Sequence, residues 1–199
     1  MKLGVLISGR GSNMLAIAEA IENGLIPDSA IEVVISDRPD AAGLVKAAER
    51  GLRTVAIPRE GRKREEHDSL IVEALREHNV ELVCLAGYMR LLSKDFIRAF
   101  PNRIINIHPS LLPSFKGLDA QKQAFDYGVK VTGCTVHFVD EELDHGAIIA
   151  QSVVYVSDED TADMVSAKIL EKEHELYVDS LAKIVRQNYE IIGRKVVIL

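Results

Sequence analysis

Apolar positions along this chain follow two rhythms. Over the first two thirds, short runs that are apolar at successive positions alternate with longer stretches where apolar residues recur every three or four positions. The short runs, at 3–7, 31–36, 54–57, 82–86 and 103–107, predict strands buried on both faces, because a half-exposed strand would alternate apolar with polar residues. The longer stretches, at about 13–23, 41–50, 65–79 and 93–100, predict helices. Strand and helix in succession imply right-handed crossovers and a mostly parallel α/β sheet with helices on both faces.

After Pro113 the rhythm changes. A helix at about 119–127 precedes two longer β runs, 132–139 and 148–156. The short loop 140–147 between them predicts an antiparallel extension of the sheet. Helical spacing returns over 161–186, with Asp160 or Ser157 available as its cap. The tail, 189–198, reads as a small hairpin. No repeat, low-complexity tract or linker interrupts the 199 residues, so a single domain over 1–199 is expected.

Composition narrows the function classes. The chain is 47% hydrophobic and 27% charged, which suits a globular core rather than disorder. A net charge of −6 argues against nucleic acid as the partner, since a surface that tracks phosphates shows a basic excess. The one basic cluster, at 59–66, is broken by acids and reads as a solvated loop entering a helix. Cys84 and Cys134 each sit in an apolar run and read as buried thiols, with neither metal spacing nor a disulfide framework. The apolar start is too short for a secretory signal, and no run approaches the ~20 apolar residues of a membrane span. A cytoplasmic protein acting on small molecules, as monomer or homodimer and without membrane contact, is expected.

Three stretches carry chemistry. Ser8-Gly9-Arg10-Gly11-Ser12-Asn13 follows the first strand and opens the first helix. Its glycines allow a tight turn, and the helix start offers N–H groups and a positive dipole end to a phosphate. Met14 stands where a dinucleotide fingerprint needs a third glycine, and no Gly-Lys-Ser/Thr follows for a P-loop. The same residues also suit a plain βα turn capped by Ser12 or Asn13, and spacing alone does not choose.

The second stretch is Asn106-Ile107-His108-Pro109-Ser110-Leu111-Leu112-Pro113. Residues two apart in a strand share a face, so Asn106 and His108 point one way and Ile107 the other. Pro109 holds His108 extended. An amide beside an imidazole at the carboxyl end of a parallel strand suits carbonyl polarisation and proton movement. Taken alone, Asn-x-His more often means a hydrogen-bonded His that closes a strand. The third stretch is Asp140-Glu141-Glu142-Leu143-Asp144-His145-Gly146. Glu141 and Glu142 read as solvated, while Asp144, between an apolar residue and a glycine that permits a sharp turn, is a candidate partner for an imidazole. Among the other histidines, His67 and His78 fall on a polar helix face and are expected in solvent. His137 and His174 suit a pocket, core or rim equally. None shows metal spacing.

Together with Leu85-Ala86-Gly87-Tyr88-Met89-Arg90-Leu91-Leu92, these stretches resemble the formyltransferase superfamily, and within it the phosphoribosylglycinamide formyltransferase family, in joint order and spacing from residue 3 to about 181. The resemblance implies a Rossmann-like sheet with the active site at strand ends. It implies transfer of a formyl group from 10-formyltetrahydrofolate to the amine of glycinamide ribonucleotide, without a metal. It maps the ribonucleotide onto Gly11, Ser12, Asn13 and Glu173, and the folate onto Arg64, Met89, Arg90, Leu91, Leu92 and Asn106. The implied catalytic trio is Asn106, His108 and Asp144. In that reading Asn106 and a protonated His108 stabilise the charge growing on the formyl oxygen, and Asp144 assists the proton transfers.

Asp119 departs from the pattern, standing where the family often has a histidine. The nearest rival is formyltetrahydrofolate deformylase, which shares the trio but usually has an extra amino-terminal domain and lacks the Gly-Ser-Asn turn. A methionyl-tRNA formyltransferase would need a further domain and basic charge. A non-catalytic nucleotide-binding module is the rival from another class.

Overall fold

The computed structural model describes residues Met1–Leu199 as two compact units, Met1–Ile105 and Asn106–Leu199. The first runs β1 (Lys2–Ile7), α1 (Ser12–Glu22), β2 (Ala30–Ser36), α2 (Ala42–Glu49), β3 (Thr54–Ala56), α3 (Arg64–Glu77), β4 (Leu82–Leu85) and α4 (Lys94–Ala99). Its strands lie in the order β3-β2-β1-β4, all parallel. The order steps outward from β1 to β3 and then reverses to β4, so right-handed crossovers put α1 and α2 on one face and α3 on the other. Strand β1 shows both coverings. Gly4 has no room for a side chain because Leu75 and Val80 crowd it, whereas Ile7, three positions on and so on the opposite face, meets Gly43 of α2. Val5, Leu6 and Ile7 are fully buried, as the unbroken apolar run predicts.

Strand β5 (Ile104–His108) carries the chain into the second unit, which continues with α5 (Ala120–Tyr127), β6 (Val131–Phe138), β7 (Ile148–Tyr155), α6 (Ala162–Arg186), β8 (Tyr189–Ile192) and β9 (Lys195–Ile198). The expected antiparallel pair is β6 with β7, from Val131 opposite Tyr155 to His137 opposite Ile148, and the tail hairpin is β8 with β9. Helix α6 packs on β6 and β7 through Val165, Ile169, Tyr177, Leu181 and Ile184. No helix is long and apolar enough to cross a membrane.

Two caps differ from expectation. Helix α6 is capped by Thr161, whose hydroxyl accepts from Met164 N, while Asp160 instead accepts from Ser157 N and pairs with Lys168 Nζ. Helix α1 is capped by neither Ser12 nor Asn13: its cap is Gly11, and Ser12 is its first helical residue.

Candidate functional site

In the first unit, the turn after β1 owes its shape to Gly11. Its φ of 70° is left-handed, and a Cβ there would lie 2.9 Å from the Cα of Gly43. Gly43 N donates to the Gly9 carbonyl (2.9 Å), which holds the turn against the start of α2. With no side chain capping α1, the first N–H groups of the helix are served by no cap residue, the condition under which a helix start takes an anion. Asn13 is buried and Ser12 half-buried.

Beside this turn the chain leaves β4 through Gly87 and Tyr88 to Met89, Arg90, Leu91 and Leu92. Ser8 N donates to Gly87 O (3.0 Å), and Met89 N donates to Ser8 Oγ (2.9 Å), so turn and segment are fastened to each other. Met89 and Leu91 are 63% and 56% exposed. Arg64 is the exposed first residue of α3.

The expectation that His67 lies in solvent is wrong. Its ring is fully buried, with Nε2 donating to the Ile57 carbonyl (2.7 Å), because α3 turns this position inward beside Asp68. His78 is half-buried and bonds Ala74 O through Nδ1.

In the second unit, side chains far apart in sequence converge. His108, 4% exposed, donates from Nε2 to the Phe115 carbonyl (2.8 Å), and its Nδ1 lies 3.4 Å from Asp144 Oδ2. Both ring nitrogens face oxygen acceptors. Asp144 Oδ2 also accepts from Gly117 N (2.8 Å), so the carboxylate is held from two sides. The loop bearing it is ordered by Asp140, which accepts from Glu142 N and from His145 Nδ1. Asp144 itself takes the left-handed conformation, with φ 45°. Gly146 serves a different need than a sharp turn: a Cβ there would lie 1.9 Å from the Phe138 carbonyl, so only glycine lets the loop return against β6.

His137 is the member that sequence left open. It is 2% exposed, its Nδ1 donates to the Phe138 carbonyl (2.8 Å), and its Nε2 accepts from Asn106 Nδ2 (3.2 Å). Burial pushes its pKa below the ordinary imidazole value, which keeps Nε2 an acceptor and aims the Asn106 amide. Asp144 Oδ1 lies 3.9 Å from the same nitrogen. The sequence signal is the run Cys134-Thr135-Val136-His137-Phe138, where a histidine amid mostly apolar neighbours in a strand needs a polar partner once β6 is buried. Behind the trio, Thr135 Oγ1 donates to Ser110 O and accepts from Leu112 N and Gln151 Nε2, which fixes the segment after His108.

Burial first, and then Glu173, itself buried on α6, push the Cys134 thiol up to about 12. Asp119 is exposed and left-handed at the start of α5, with no side-chain cap bond. No group of three or more His, Cys, Asp or Glu side chains is arranged to hold a metal ion.

Residues 1–181 match the family model described as formyl transferase. A protein of Gallus gallus named trifunctional purine biosynthetic protein adenosine-3 is 45% identical over 91% of this chain, which spans only 18% of that longer protein. The phosphoribosylglycinamide formyltransferase of Bacillus subtilis is 40% identical over 94% of this chain and 96% of its own length. The crystal structure of glycinamide ribonucleotide transformylase 1 from Symbiobacterium toebii superposes with a TM-score of 0.97 at 46% identity, covering 100% of this chain and 94% of that one.

Proposed function

Because the chain belongs to the formyl transferase family, we propose that it moves the formyl group of 10-formyltetrahydrofolate onto the amine of glycinamide ribonucleotide. The observation that carries this reading is the likeness to a Bacillus subtilis relative of that name along nearly the full length of both chains. The family match runs through both compact units, which supports reading them as one formyltransferase domain. Buried cysteines in no disulfide suit the reducing cytoplasm.

Gly11, Ser12 and Asn13 take the ribonucleotide's phosphate on the helix start, and Glu173 contacts the ribonucleotide. Arg64, Met89, Arg90, Leu91, Leu92 and Asn106 receive the folate. The amine nitrogen attacks the formyl carbon, and the C=O electron pair moves onto oxygen. As the carbonyl re-forms, the bond to folate N10 breaks. The amine loses one proton and N10 gains one, so the products are formylglycinamide ribonucleotide and tetrahydrofolate with no change in oxidation state. Asn106 Nδ2, aimed by His137, donates to the growing oxyanion, and His108 adds positive charge there. The His108–Asp144 pair carries the proton between nitrogens. No metal ion takes part.

Purified protein is to be incubated with 10-formyltetrahydrofolate with and without the ribonucleotide amine. Amine-dependent appearance of tetrahydrofolate is expected. Amine-independent loss of formyl, or no loss with both present, overturns the assignment.

A further inference from the structure

We propose that residues 87–93 are a strap clamped at both ends by buried acceptors, which makes Ser8 with Asp37, and separately Asp68, positioning residues for the folate. This rests on the folate role given above to residues 89–92.

At the near end, Ser8 is 5% exposed and its hydroxyl donates to Asp37 Oδ1 (2.6 Å). The hydroxyl's one proton is thereby committed, so its lone pair faces Met89 N, which donates to it at 2.9 Å. Ser8 N closes the same corner on Gly87 O. Ser8 also opens the turn proposed for the phosphate, so the strap is pinned to that turn's first residue. At the far end, Ser93 N donates to Asp68 Oδ2 (2.5 Å), with both residues buried. Ser93 in turn caps α4 by accepting from Phe96 N.

Tyr88, 7% exposed, roots the strap between the clamps. Its hydroxyl has no hydrogen-bond partner, and its pKa is raised by burial first and then by Asp37 and Asp68 together. Both clamping carboxylates therefore act on the one aromatic side chain that the strap buries.

The clamps solve a specific problem. Met89 and Leu91 stand in water, and an unrestrained loop would fold them inward. Holding the backbone at 89 and 93 by charge-backed hydrogen bonds keeps the apolar pair presented before ligand arrives, which removes an ordering cost from binding.

Ser8→Ala, Asp37→Ala, Asp68→Ala and Asp68→Asn are compared with wild type by steady-state kinetics, by calorimetry with tetrahydrofolate, and by amide hydrogen exchange. Ser8→Ala raises the folate KM and the tetrahydrofolate Kd about tenfold, the worth of one buried hydrogen bond, with kcat and the ribonucleotide KM within about twofold. Its Met89 amide loses protection and Ser93 keeps it. Asp37→Ala, which leaves the hydroxyl in place, gives a smaller shift of the same kind. Asp68→Ala exposes the Ser93 amide instead, and Asp68→Asn, which keeps an acceptor oxygen, recovers most of the loss. Folate KM unchanged in Ser8→Ala and Asp68→Ala overturns the strap, as does an equal fall in every kinetic parameter. Wild-type protein that turns over nothing overturns the formyl-transfer reading itself.

Discussion

The turn-and-strap region of the first unit and the trio of the second solve opposite physical problems. The first presents backbone N–H groups at a helix start and two exposed apolar side chains, so its ligand-facing chemistry is mostly main chain and surface. The second buries an imidazole, a carboxylate and a second imidazole, each held by at least one hydrogen bond, and exposes little. Main-chain donors bind a phosphate without titrating and tolerate side-chain change. Buried titratable groups can move protons, but every member needs its partner. Damage in the first region therefore belongs in KM, and damage in the second in kcat.

The largest test of that division is His108→Ala. A general acid–base group contributes about 10²–10⁴-fold, so kcat falls by that order while both KM values stay within a few-fold. Circular dichroism checks that the fold persists. A His108→Ala enzyme near wild-type turnover sinks the mechanism. Gly146→Ala is next. Its Cβ meets backbone rather than a yielding side chain, so the loop bearing Asp144 must shift. The cost is about 2–3 kcal/mol, read as a fall in melting temperature of roughly 5–10 °C. An unshifted melting curve shows that Gly146 is not holding the loop.

Ser12→Asp separates binding from stability in the other region. Ser12 is the first residue of α1, where a carboxylate is favourable to the helix dipole, so stability holds or rises. The same charge repels a phosphate a few ångströms away, and the ribonucleotide KM rises about tenfold or more while folate affinity is kept. Equal losses for both ligands mean the turn is misassigned.

How much of this was legible in the sequence divides along similar lines. Strand and helix order is readable because an unbroken apolar run such as residues 3–7 suits burial on both faces. The run at 54–57, expected to be covered in the same way, is instead the edge strand β3, half-buried with Ala56 exposed, because no strand lies beyond it. The Gly-Ser-Asn turn and the Asn-x-His pair were readable as local patterns. What a local pattern cannot carry is a contact across long separation. Asn106 reaches His137 and His108 reaches Asp144 only because the second unit folds so, and composition near each residue says nothing of it. His67 is hidden for the same reason: charged neighbours make its helix face look solvated, while the ring turns inward beside buried Asp68 to the Ile57 carbonyl. At Gly146 the sequence suggests conformational freedom, whereas the reason for glycine is the carbonyl of Phe138, a neighbour that no spacing rule names.

The smallest effect sharpens the comparison most, because it asks whether the second region is coupled to protons at all. His137 is buried with its pKa lowered, mainly by desolvation. Its unfolded ring takes up a proton below the ordinary value of about 6.5, which the folded ring refuses. The stability from keeping it neutral is therefore complete above that value and is lost as pH falls towards the folded pKa. Half-buried His174 is shifted the same way and adds to the loss. In His137→Gln the side-chain oxygen still accepts from Asn106, but nothing titrates at that position. Wild-type melting temperature should fall further than the variant's between about pH 7.5 and 5.5. Parallel curves for the two proteins mean that folding does not shift the proton equilibrium of His137, which overturns the reading of a ring kept neutral by burial.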